Sequence, residues 1–363
     1  MIGWTLGRYF FLRYVKITIY FLLGIFILAL LMDFTENAAR LSRLPGYSAL
    51  GALSVSALRI PFIMQQLFPF VALFSAMATL ISLNRKLELV IARSIGVSAW
   101  QFLMPACFGA FLFGLFGVII INPLAAWGTA QSENLLANWR GENTQLSTDS
   151  NRIPWLTQRT DFGITTIGAK SVTDSGLTLI NTTFVQYNDD GSVKDWINSP
   201  KASLINGAWI LTNGTRYKAG QEPEKFDKLT VQTRLRPEFL EERLADPATI
   251  PFYDLPKKIE VARSFGYSAN AFDMQLQSLV ALPALLIAMT LIAATVSLKF
   301  VRFGQSGTLI LGGIIAGFVL YVVSVLVQAF GKAGYVPPVV AAWVPVVIAL
   351  FIGISFLLQK EDG

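Results

Sequence analysis

Residue type and spacing are most specific in the segment Asn84-Arg-Lys-Leu-Glu-Leu-Val-Ile-Ala-Arg-Ser-Ile-Gly-Val-Ser. Leu87, Val90, Ile91 and Ile95 fall at i, i+3, i+4 and i+8, the spacing of a one-faced helix of two to three turns. Gly96 supplies a natural C-terminal stop, and Ser98 with Gln101 has the capping-box spacing that opens another helix. Glu88 lies in the first turn, where the helix dipole alone favours an acid by about 0.3–1 kcal/mol. A short amphipathic helix in a loop between two spans can also pass force from an ATPase into them. The residues leave both roles of Glu88 open.

Other chemistry is excluded. The 363 residues contain no histidine, which removes His-dependent triads, general bases and zinc sites. Cys107 is the single cysteine and lies within an apolar run, so it reads as a small packing residue, with no disulfide and no thiolate cluster. Gly304, Gly307 and Gly331-Lys332 lack Walker A spacing, so the chain carries no nucleotide-hydrolysing loop of that kind. No catalytic residue, metal site or cofactor of its own is expected. The formal charge of +6 is scattered along loops, which is no nucleic-acid signal. Asp33 and Asp273 stand only at the ends of apolar runs, which disfavours ion-coupled transport.

The elements around this loop are membrane spans. Apolar stretches run at Ile17–Met32, Ile60–Leu83, Ala99–Ile121, Leu276–Leu298, Thr308–Phe330 and Val336–Leu358, three on each side of a polar insert. A helix needs about 20 apolar residues to cross the hydrocarbon layer. The first stretch reaches that length with Tyr9–Tyr14 included and Arg13 and Lys16 snorkelling. Arg8, Arg13, Lys16, Arg85, Lys86, Arg93, Lys299, Arg302 and Lys360 place nine basic residues on one side, so both termini are expected in the cytoplasm and residues 122–275 outside it.

The reading divides the chain at 1–121, 122–275 and 276–363, with a coupling helix at 87–98. Asn122-Pro123 marks the end of the third span, followed by a helical stalk. Strands are expected at Phe162–Ala169, Leu177–Tyr187, Val193–Ile197 and Lys201–Tyr217, with turns at Asp190-Gly191 and Asn206-Gly207. This predicts a β-roll, jelly-roll-like, inserted into a six-helix membrane protein. Leu177, Leu179, Val185 and Tyr187 would share one face and Phe184 the other. Asn181-Thr-Thr and Asn213-Gly-Thr read as strand and turn chemistry, not as glycosylation sites.

In its 3+3 layout, Glu88-Leu89-Val90 with Gly96, Phe68-Pro69 and Gly334-Tyr335-Val336-Pro337-Pro338, the chain resembles the lipopolysaccharide-export permease family over nearly its whole length, the G-type subunit most. The resemblance implies an inner-membrane half-transporter that pairs with an F-type subunit, a cytoplasmic ABC ATPase dimer that binds ATP and Mg, and periplasmic β-jellyroll bridge proteins. It implies ATPase coupling at Glu88, Leu89, Arg93 and Gly96. The family's basic headgroup positions fall at Asp33, near Phe62, and at Ala130 and Glu133, so Arg40, Arg43 and Arg59 are the alternative headgroup contacts. Phe62, Phe68, Phe70, Phe74 and Met77 are the candidate acyl-chain surface. The rival readings are a non-transporting scaffold that anchors a periplasmic β-domain, and an intramembrane lipid-modifying enzyme, for which the spans lack polar catalytic groups.

Overall fold

The computed structural model describes residues 4–42, 47–139, 156–160, 163–173, 178–188, 192–205, 208–218, 221–233, 247–264, 268–297 and 306–361. The chain separates into two compact units, one of Met1–Arg43, Tyr47–Glu133 and Pro247–Gly363, the other of Leu44–Gly46 and Asn134–Asp246. In chain order the helices are α1 (Trp4–Leu41), α2 (Ala49–Arg85), α3 (Glu88–Ser94), α4 (Ala99–Phe116), a π-turn at Gly117–Ile121, α5 (Asn122–Trp139), a 3-10 turn at Pro247–Thr249, α6 (Leu255–Ser264), α7 (Asn270–Ser297), α8 (Ser306–Ala333) and α9 (Pro338–Glu361). Six spans among them are long and apolar enough to cross a membrane, with α4, the π-turn and α5 making up the third.

Within the helical unit α7 is central and packs against α2, α4, α8 and α9. Lipid tails are as apolar as leucine, so helices gain by close approach and not by leaving water. A Cβ on Gly114 would lie 2.5 Å from Pro283 Cα, and one on Gly117 2.7 Å from Phe68 Cε2. Helices α1 and α8 instead leave apolar side chains such as Leu23, Leu28, Phe318 and Leu326 exposed.

The helix of the third span runs on through Asn122-Pro123 to Trp139, as the expected stalk requires. Pro123 has no N–H for the Ile119 carbonyl; the helix widens into the π-turn, and the Tyr253 hydroxyl donates to Ile119 O at 3.3 Å. Buried Asn122 donates to Gln65 Oε1 at 3.4 Å and accepts from Phe252 N at 2.7 Å, which ties the returning chain to α2 and α5. At the end of α8, Gly334 has φ +84°, and Tyr335 N–H reaches Phe330 O, a Schellman stop before Pro338 opens α9.

The second unit holds β1 (Leu156–Thr160), β2 (Gly163–Thr173), β3 (Thr178–Tyr187), β4 (Val193–Ile205), β5 (Ala208–Lys218) and β6 (Glu224–Gln232). They form one antiparallel sheet in sequential order, an up-and-down sheet with no Greek-key crossing among the described strands. Strands expected at Val193–Ile197 and Lys201–Tyr217 are redivided: β4 runs through Pro200 to Ile205, and β5 follows. The two expected turns lie outside the described residues.

The face assignment is corrected. Pairing is interrupted at Asn181 in β3, Pro200 in β4 and Asn213 in β5 with the same register on either side, so in-register kinks stand side by side across the sheet, and among the described residues the register shifts only at Gln186/Tyr187. At each kink the alternation of burial along the strand reverses. Leu179 and Phe184 thus share the buried face with Ile197, Trp209 and Leu211, and Phe184 meets Trp209 edge-on at 6.2 Å. Asn181 and Asn213 adopt φ of 49° and 53°, the left-handed conformation that asparagine tolerates, which is the turn chemistry expected of both sequons.

Candidate functional site

Helix α3 spans Glu88–Ser94, shorter than the expected 87–98 because Leu87 takes φ +60° and breaks the preceding turn. Its stop is a Schellman motif: Gly96 has φ +86°, Gly96 N–H reaches Arg93 O at 3.0 Å and Val97 N–H reaches Ala92 O at 3.1 Å. Ser98 and Gln101 form the expected capping box of α4.

The two sides of α3 differ. Leu89 and Ala92 are buried, Leu89 in a cluster with Phe10, Leu80, Leu83, Phe102 and Leu357. Leu87, Ile91 and Ile95 are exposed, at 54%, 61% and 72%. Of the stripe expected from the periodicity, only Val90 and Ile91 lie within the helix, Val90 half-buried; Leu87 and Ile95 are its caps, and with Ile91 they form the exposed apolar side. Arg93 lies on the exposed side with its guanidinium 5.8 Å from the Phe102 ring.

Glu88 faces inward. Its Oε2 accepts from the Tyr9 hydroxyl at 3.0 Å and its Oε1 lies 3.4 Å from Arg13 Nη1. Arg13 also donates to Tyr9 Oη at 2.5 Å and to Ser82 Oγ at 2.8 Å. The side chains of Arg13 and Glu88 are only 18% and 28% exposed. One acid thus joins α3 to α1 and, through Arg13, to α2. Tyr9, Arg13 and Ser82 are partners that sequence reasoning missed; the only signal was an i, i+4 tyrosine–arginine pair near the membrane edge.

At the other end of α1 two of the three candidate headgroup arginines, Arg40 and Arg59, are already engaged. Arg59 Nη1 lies 3.5 Å from Asp33 Oδ1 and donates to Asn37 Oδ1 at 3.4 Å. Asn37 donates to Asp33 Oδ2 at 2.6 Å and to Ser56 Oγ at 2.9 Å, and Asp33, Asn37 and Ser56 are buried. Arg40 pairs with Glu36 at 2.9 Å, both exposed. Arg43 lies outside the described residues. The acid at Asp33 is thus the partner of Arg59.

The five acyl-surface candidates do not line one surface. Phe68 is buried against Phe113 at 4.6 Å, and Met77 against Gly313. Phe70 stacks on Phe74 and meets Tyr321 of α8, while Phe74 meets Phe21 of α1. Phe62 is half-buried. The structure brings Phe70 and Phe74 together where α1, α2 and α8 meet and sends Phe68 and Met77 into the bundle. Among the described residues no His/Cys/Asp/Glu group could hold a metal ion.

A family profile described as "Lipopolysaccharide export system permease LptF/LptG" matches residues 8–359. The lipopolysaccharide export system permease protein LptG of Escherichia coli strain K12 is 23% identical over 335 residues, 87% of each chain. The same figures hold for the LptG protein of Escherichia coli O6:H1 strain CFT073.

Proposed function

The chain belongs to the LptF/LptG family of lipopolysaccharide export system permeases, and from that premise we propose that it is the G-type membrane half of an ATP-driven exporter. It pairs with an F-type subunit in the inner membrane. A cytoplasmic ABC ATPase dimer binds ATP and Mg and supplies the energy. Lipopolysaccharide leaves the bilayer between the helices and passes along the β-domain, on the periplasmic side, to β-jellyroll bridge proteins. Each buried CH₂ holds an acyl chain in the membrane by about 0.8 kcal/mol, so a multi-acyl lipid leaves only with a chemical energy source.

One observation carries this reading: α3 is anchored on one side and apolar and uncovered on the other. Leu87, Ile91 and Ile95 suit a groove in the ATPase, and Glu88 with Arg13 passes its movement to α1 and α2. Burying an isoleucine side chain is worth about 1.5–3 kcal/mol. Gentle detergent extraction should therefore recover an ATPase with the chain, and Ile91→Asp with Ile95→Asp should release it while the chain stays in the membrane. Recovery of the chain with no nucleotide-hydrolysing partner would leave a scaffold for the β-domain and end the export reading.

A further inference from the structure

The row of kinks borders a cleft of about 420 Å³ on the sheet, with Asn181, Thr183, Asn198, Pro200, Asn213 and Thr215 in its lining. No charged residue lines it. Thr183, Asn198 and Thr215 are register partners across β3, β4 and β5. The next row on the same face is Val185, Trp196 and Tyr217, and there the two aromatic residues are cross-strand neighbours, 46% and 44% exposed. This face is opposite the one that buries Phe184 and Ile197.

Hydrogen bonding in the cleft is half complete. Asn198 Oδ1 accepts from Trp196 Nε1 at 2.9 Å and from Thr183 Oγ1 at 3.0 Å. Those two bonds orient the amide and leave its Nδ2 as an unused donor. They also hold the indole in one orientation beside the cleft. The side chains of Asn181, Asn213 and Thr215 make no hydrogen bond among the described residues, and Asn181 and Asn213 are exposed. Amide and hydroxyl groups of this kind match the donor-and-acceptor hydroxyls of a sugar, and an exposed aromatic face matches the C–H face of a pyranose ring. An anionic ligand would need cations in the cleft; the nearby lysines, Lys225 opposite Thr215 and Lys201 and Lys228 on either side of Thr212, stand at its rim and do not line it.

We propose that this cleft, with Trp196 and Tyr217 beside it, binds an uncharged stretch of the saccharide portion of the transported glycolipid. The identity of the glycolipid rests on the export reading; the saccharide chemistry of the cleft does not. The β-domain would then hold the glycan on one face of the sheet while its opposite face keeps the apolar core.

The test uses the full chain in phospholipid nanodiscs, because maltoside detergents present sugar themselves. A neutral linear hexasaccharide, and the lipid-free, dephosphorylated saccharide released from lipopolysaccharide, are titrated and followed by saturation-transfer NMR. Saturable binding in about the millimolar range is expected, weakened about tenfold by Trp196→Ala and largely kept by Trp196→Phe. Asn213→Gly, which keeps the left-handed backbone and removes only the amide, should weaken it about threefold. No binding of either saccharide at about 20 mM, which is far above that range, overturns the proposal. So does equal binding by Trp196→Ala; so too does binding by the same saccharide with its phosphates retained, titrated in parallel, when the two uncharged probes do not bind, which would assign recognition to Lys201, Lys225 and Lys228 at the rim. Absence of an ATPase from the purified chain would remove the export reading and leave this titration unaffected.

Discussion

At one end of α1, Arg13 meets Glu88 of α3; at the other, Asp33 meets Arg59 of α2. Both are partly buried ion pairs supported by neutral hydrogen-bonding groups, Tyr9 and Ser82 in the first, Asn37 and Ser56 in the second. What they hold differs. Helix α3 has seven residues, well below the about 12–15 at which an isolated helix becomes stable in water. Its position depends on Leu89, Ala92 and the Glu88 pair. Helices α1 and α2, of 38 and 37 residues, already pack along their lengths, so the Asp33 pair adds little to position and instead cancels the charge of Arg59. The same chemistry ties a short helix to α1 at one end and neutralises an arginine at the other.

The largest effect is expected at the link. Glu88→Lys sets a cation against Arg13 and Tyr9; for a pair this little exposed we expect about 2 kcal/mol, the lower end of the range for desolvated contacts. Lipid export in reconstituted vesicles should fall more than about tenfold while ATP hydrolysis continues. Combining Glu88→Arg with Arg13→Glu should restore much of it. Normal export by Glu88→Lys would reduce Glu88 to a helix-dipole residue.

At the neutralising end the effect has the opposite sign. Asp33→Asn keeps the Asn37 and Ser56 neighbourhood and releases the Arg59 guanidinium, so affinity for a phosphorylated lipid should rise about threefold to tenfold over a neutral lipid of equal acyl content. Arg40→Glu should change it little, because the exposed Glu36–Arg40 pair is worth roughly 0.3–0.5 kcal/mol. Equal gains for both lipids with Asp33→Asn would mean that the headgroup never meets Arg59.

Smaller changes sharpen the picture of α3. Nothing lies within 4 Å of a Cβ built on Gly96, so Gly96→Ala tests the left-handed backbone alone, with an expected cost of about 1–2 kcal/mol. Faster proteolysis within 86–98 would report it; unchanged cleavage would mean that the Schellman stop is not needed. Leu87→Asn, at φ +60°, should relieve a few tenths of a kcal/mol to about 1 kcal/mol and slow amide exchange in α3. No gain in protection would show that Leu87 carries no backbone strain.

Much of the architecture was legible because the bilayer and the pleat impose simple periods. Each expected span corresponds to a helix, and the capping box at Ser98 and the stops at Gly96 and Gly334 follow from local backbone preference. The face of β3 was not legible, since the left-handed residue Asn181 exchanges the roles of Val185 and Phe184 in the alternation, and strict period-2 reasoning has no place for it. β1 and β6 were missed because Leu156–Thr160 is short and Glu224–Gln232 carries charges where strand patterns call for β-branched residues. At the sites, the arginines were read as available because their acids lie far off in the chain or on a neighbouring turn.

The sequence by itself determined that the chain has six spans of membrane-crossing length around a β insert, no histidine, a single cysteine and no Walker A pattern; composition and local period suffice for these because each residue contributes independently. Tertiary structure decided where charge is used. Arg13 and Glu88 are 75 positions apart, Arg59 and Asp33 lie on different helices, and the Tyr253 hydroxyl reaches a carbonyl 134 positions away. Whether an arginine binds an anion or is already spent on a carboxylate depends on distances of 3 to 4 Å between distant segments. Those distances are set by how α1, α2 and α3 pack on one another, which no local pattern encodes.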